Sequence, residues 1–181
     1  DAPIAFTGDL ILFAYLFGLA RFFTTSAALD TGSAFEGMGA AREVTFACLS
    51  EPALFFAFLV LAKISGAFSL TPMLHAPATA FSAGIAAPLM LILIGLFIVL
   101  LAETCRIPVD DPNTHLELTM IHEAMVLDHS GPLFGIILYA AAMKMLVLGT
   151  VVLQVLVPFL PGREMLRGPF FLILLMALAV V

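Results

Sequence analysis

Long apolar runs alternate with shorter polar breaks along this 181-residue chain. The runs cover about 9–29, 44–63, 84–102 and 133–157, and a fifth starts near 168 and stops at 181. Each of the first four is long enough to cross a bilayer as a helix, which takes ~20 residues. Backbone in hydrocarbon must satisfy its own N–H and C=O groups, so the predicted elements are helices. The fold class that follows is all-α, a polytopic integral membrane helix bundle forming a single transmembrane domain over 1–181. The chain opens on Asp1, and its last run, GPFFLILLMALAVV, is too short to span. The expectation is a fragment of a longer membrane protein.

The polar breaks differ in character. Residues 30–43 (DTGSAFEGMGAARE) are Gly-rich and predict a tight turn. Residues 65–83 carry Pro72 and Pro77 and almost no charge, and 157–169 form a Pro/Gly turn with Arg163 and Arg167. The longest break is 103–132. Within it, Thr114 and Glu117 have capping-box spacing. Leu116, Met120, Ile121, Ala124, Met125 and Leu127 follow at helical spacing, before Gly131-Pro132 ends the segment. A short amphipathic helix is expected there, at the membrane face or against a partner, with Pro108 and Pro112 holding the chain extended ahead of it. Alternation of the spans places 30–43 and 103–132 on one side of the membrane. Lysine and arginine counts favour the other side as cytoplasmic by a single charge.

Composition agrees with a membrane chain. Hydrophobic residues make up 62% and charged residues 11%, against about 25% charged in soluble domains. The net charge of −6 argues against nucleic acid as a partner. The two cysteines, Cys48 and Cys105, are too few for an iron–sulfur cluster, which usually takes four thiolates. No nucleophile triad, phosphate loop or cofactor fingerprint is present, and no metal site is expected.

Candidate chemistry lies in the few charges. Arg21, Glu51 and Lys144 sit well inside apolar runs, where each costs roughly 2.5–3.5 kcal/mol on an insertion scale. Arg21 and Lys144 could snorkel or pair with acids. Glu51 is too short to snorkel, and Pro52 follows it. The break 103–132 gathers Glu103, Asp110, Asp111, Glu117, Glu123 and Asp128 out of 13 acids in the chain. Arg106 follows Glu103 at ion-pair spacing, and Arg42 is a further charge partner on the same side. Asp110 and Asp111 are adjacent, so one can keep a proton at higher pH. His115, His122 and His129 recur every seven residues, about 10.5 Å per step on a helix, too far apart for one metal. Glu51, Glu103, Asp110, Asp111, Glu117, Glu123 and Asp128 therefore form a candidate proton path.

One stretch carries a family likeness. AETCRIPVDDPNTHLELTMIHEAMVLDHSG, Ala102 to Gly131, resembles the large loop of the membrane subunit of formate-hydrogenlyase and hydrogenase-4-type complexes. More distantly it is similar to the quinone-chamber subunit of respiratory complex I. The upstream stretch from Gly8 through Phe55, GDLILFAYLFGLARFF…ALDTGSAFEGMGAAREVTF…SEPALF, resembles the hydrogenase-type branch too, so the likeness covers essentially the whole chain. It implies a fold of roughly eight spans, of which about five fall here, in the cell inner membrane. It also implies that 103–132 faces the cytoplasm, against the one-charge count. Glu51, Glu103, Arg106, Asp110, Glu117 and Asp128 match the family's polar positions. Hydrogenase large and small subunits and iron–sulfur subunits would dock on the loop, and antiporter-like subunits would lie alongside in the lipid bilayer. Nickel–iron and iron–sulfur centres would belong to those partners, with no cofactor on this chain. The implied role is docking the redox arm and coupling electron transfer to ion movement. The alternatives are a quinone-site subunit, an independent ion transporter and a plain anchor.

Overall fold

Apolar side chains on a backbone that bonds to itself every four residues give long helices, and these dominate the computed structural model. It describes residues 6–82, 86–107, 109–110, 121–159 and 176. Six α-helices are described: α1 (Asp9–Asp30), α2 (Ala34–Ser65), α3 (Leu70–Ser82), α4 (Ala86–Glu103), α5 (His122–Met125) and α6 (Gly131–Leu156), with a 3₁₀ turn over Val157–Phe159. There are no strands among the described residues. Helices α1, α2, α4 and α6 are long and apolar enough to cross a membrane. The run after 168 lies outside the described residues, Met176 apart.

Two breaks are more helical than their glycines and prolines suggested. The turn after α1 is confined to Thr31–Ser33, and α2 starts at Ala34. At 32 residues, α2 is about 48 Å long, while the apolar layer is ~30 Å thick. It is therefore longer than the layer it would cross upright. Gly66, at φ 69°, ends α2 with a left-handed cap that only glycine adopts without strain. The proline-bearing break contains α3, whose start is capped from a distant element. The buried Asp9 carboxylate accepts the Leu70 N–H at 2.8 Å and the Ser69 hydroxyl at 3.0 Å. A carboxylate there satisfies orphan donors and complements the helix dipole.

The core lies between α2, α3, α4 and α6. Leu54, Phe58 and Leu61 meet Met73, Leu89, Leu96, Leu100, Leu148 and Val152. The outward faces are apolar too: Tyr15, Phe23, Leu49, Phe56, Leu91, Ile136 and Tyr139 are exposed. Lipid tails are as apolar as these side chains, so helix association there depends on close packing and on interhelical polar contacts. A second, smaller cluster ties α5 to the start of α2: Ala28, Ala40, Ile121 and Met125. Residues 31–33 and 121–130 thus share one end of the bundle.

Candidate functional site: a buried charge cluster under an open cavity

The site begins with Arg21, midway along α1. Its guanidinium is 8% exposed and faces three acids from two other helices. Nε donates to Glu43 Oε1 at 3.2 Å, Nη1 to Glu51 Oε1, and Nη2 to Glu103 Oε2. A planar fork with five donors suits such a junction, which a single ammonium could not span. Glu103 closes α4 and is buried. Its Oε2 also takes Lys144 Nζ of α6 at 2.9 Å, and its Oε1 accepts the Ser50 hydroxyl at 2.5 Å. Four spanning helices are therefore joined through one carboxylate and one guanidinium.

Arg21 and Lys144 face Glu43, Glu51 and Glu103. If all are ionised, one negative charge is left uncompensated. A bilayer interior tolerates an unpaired charge poorly.

Just past Glu103 the chain leaves α4 sharply. Cys105 takes φ 48°, the left-handed region, at a cost of roughly 1–2 kcal/mol for a residue with a Cβ. The turn brings its thiol 3.5 Å from Glu43 Oε2, to which it donates. Burial first, and then the Glu43 carboxylate, push the Cys105 thiol well above its ordinary 9.0.

A cavity of about 670 Å³ opens above the cluster, between α1, α6 and α5. Phe13, Phe17 and Phe23 wall one side, and Ile137, Ala141 and Val147 the other. Its polar lining is Arg21, Glu43, Glu103, Cys105, His122, His129 and Lys144. Burial lowers the His122 imidazole from its ordinary value, against the pull of Glu43.

Of the residues singled out from sequence, Arg21, Glu51, Glu103 and Lys144 come together here. Glu103 turns to Arg21 and Lys144, because α4 ends before the Arg106 spacing could act. Arg106 Nη2 instead approaches Met145 Sδ at 3.3 Å. Arg42 is half-buried on α2 and stays out of the cluster. Asp110 Oδ2 accepts the Ile121 N–H at 2.9 Å and leaves Oδ1 without a partner. Glu123 and Asp128 are exposed. Asp111, Glu117, His115 and the Thr114 cap lie outside the described residues. Among the described residues no three His, Cys, Asp or Glu groups are placed to hold a metal ion.

Sequence reasoning missed two acids. Glu43 lay in the stretch read as a turn. Glu36, fully buried, accepts the Asp128 N–H through Oε1 at 3.1 Å. The available signal was spacing. Glu36, Glu43 and Ser50 recur every seven residues, one face of a continuous helix.

The sequence matches the NADH dehydrogenase family profile over residues 2–181. It is 32% identical over 164 residues to hydrogenase-4 component C of Escherichia coli (strain K12), a match covering 91% of this chain and 50% of that protein. It is 30% identical over 181 residues to formate hydrogenlyase subunit 4 of the same strain, covering 98% of this chain and 56% of that protein. The chain thus spans about half the length of these curated relatives. No solved structure matches it significantly.

Proposed function

Because this chain belongs to the NADH dehydrogenase family, we propose that it is a membrane subunit of a complex-I-like nickel–iron hydrogenase of the formate hydrogenlyase type. Two relatives named for hydrogenase-4 and formate hydrogenlyase support the choice of complex. The protein lies in the cell inner membrane. The segment 103–132 docks the hydrophilic arm on the cytoplasmic side, and the arm's subunits carry the nickel–iron and iron–sulfur centres. Antiporter-like subunits pack alongside.

The observation that carries the coupling role is the charge cluster within the spans, in which buried Arg21, Glu43 and Glu103 are joined by the partly exposed Glu51 and Lys144, with more acid than base. A passive anchor has no use for so costly an arrangement. Redox events in a docked arm shift the protonation of these acids, and the shift drives ion movement.

Two experiments test the proposal. Affinity purification of the full-length protein from gently solubilised membranes should recover a hydrogenase large subunit, with nickel and iron by metal analysis. Recovery of the protein by itself would revive the independent transporter. Glu51→Gln and Glu103→Gln should abolish coupled proton movement in complexes that still assemble, and unchanged pumping in both sinks the coupling role.

The cavity favours a second reading. Its three phenylalanines and polar floor suit an aromatic head group, as a quinone-site subunit requires. Quinone-dependent electron transfer by the purified complex, without nickel, would select it.

A further inference from the structure

Two imidazole nitrogens in the cavity lack partners. His122 Nε2 and His129 Nδ1 are buried and make no hydrogen bond, yet both side chains line the open space above the charge cluster. Buried polar atoms are nearly always satisfied, by ordered water where protein supplies nothing. The cavity is large enough for many waters, each needing about 30 Å³.

The three acids of the cluster are unequally held. Glu103 accepts from Arg21, Lys144 and Ser50, so its charge is fully engaged. Glu51 takes a guanidinium N–H of Arg21. Glu43 has only the longer Arg21 Nε contact and a thiol, a weak donor. With Glu103 it borders the cavity that His122 also lines, and of the two it is the less engaged. Around His122 stand Glu43 of α2, Lys144 of α6, Asp110 ahead of α5 and Glu123 on α5 itself. Glu43 itself faces Arg21 of α1 and Cys105 beyond α4.

We propose that the cavity is the hydrated mouth of the buried cluster, in which His122 passes protons through water to the Glu43 carboxylate. The imidazolium N–H gives its proton to a cavity water, a proton from that water chain moves to Glu43 Oε2, and the neutral imidazole is reprotonated from the α5 side. No electron moves. Glu43 receives that proton because its oxygens meet only the longer Arg21 contact and the Cys105 thiol. This inference rests on the coupling reading above and adds the residues by which protons reach the cluster.

The test uses the assembled complex in sealed vesicles, with proton movement measured beside hydrogenase turnover. Unmutated complex that turns over without moving protons would remove the coupling reading itself. If the unmutated complex moves protons, Glu43→Gln and His122→Ala should each lower proton movement about tenfold or more. Imidazole added at millimolar concentration should restore most of the loss in His122→Ala, because it fits the vacated space, and none in Glu43→Gln. A merely structural histidine would show no such rescue. Full proton movement in either assembled variant, or a loss in His122→Ala that imidazole leaves untouched, overturns the inference while the coupling reading stands. If His122→Ala fails to assemble, Glu43→Gln, which keeps the shape of the side chain, decides the matter by the same threshold.

Discussion

Arg21 shows what a single side chain contributes here. It is the guanidinium shared by three acids, so its removal leaves carboxylates facing one another away from water. Breaking a buried ion pair by deleting one partner costs about 3–5 kcal/mol. Arg21→Ala should therefore lower the midpoint of thermal unfolding in detergent by several degrees or prevent assembly. Arg21→Lys, which reaches fewer acids at once, should fall between. A melt equal to the unmutated protein's in Arg21→Ala would mean that the three acids do not depend on it. Cys105 allows a second residue-scale expectation. Since burial and Glu43 push its thiol far above 9.0, little thiolate exists near pH 8 and alkylation needs the thiolate. Iodoacetamide should modify Cys105 in the folded protein at least about tenfold more slowly than in the denatured chain. Equal rates would show the thiol to be open. Arg21, Glu51, Glu103 and Lys144 were legible as exceptional in the sequence, because charge inside an apolar run is conspicuous. Their mutual pairing was not legible, since they are up to 123 residues apart and spacing along one chain does not say which helices touch.

At the scale of elements, α5 depends on a glycine of α2. A Cβ on Gly39 would meet the Ile121 carbonyl oxygen at 3.0 Å and the Ala124 and Met125 side chains at 3.1 Å. Backbone oxygen cannot swing aside, so Gly39→Ala should loosen α5 by about 1–3 kcal/mol. Hydrogen exchange over 121–130 should quicken while α4 and α6 stay protected, and unchanged exchange would refute the contact. His122 gives the same docking a pH dependence. Its folded value is depressed by burial below the ordinary 6.5, so the undocked segment binds the proton more readily. Docking stability is complete above about pH 6.5 and is lost as pH falls through the folded value. Exchange over 121–130, corrected for its intrinsic rate, should therefore rise as the buffer is taken from about pH 7.5 to 5, and His122→Asn should flatten that rise. The Gly-rich break was read as a turn because glycine usually marks one. The helix persists through it because one of those glycines, Gly39, lets α5 pack on α2, a tertiary gain that outweighs local propensity.

For the whole molecule, the polar cluster sets which helices are neighbours. Apolar faces in lipid can pair in many ways at similar energy, while Glu103 has one arrangement that satisfies both its oxygens. A double-mutant cycle of Glu103→Gln and Lys144→Met, read by unfolding of the full-length protein in detergent, should give a coupling of about 1–3 kcal/mol. Additive effects would mean that α4 and α6 are not joined through this pair. The sequence by itself determined that the chain is helical and built for a membrane, where its long runs lie and which charges are out of place. Hydrophobicity and run length are local properties, and a bilayer leaves helical backbone few alternatives. The sequence also determined family membership, through a long motif that survives whatever the packing. Only the tertiary structure decided that Glu43 and Glu36 belong to the polar interior, that Arg42 does not, and that a cavity joins His122 to the Arg21 cluster. Those facts depend on the rotation of each helix about its axis and on which helix lies beside it. Both are set by the sum of many side-chain contacts between residues far apart in the chain.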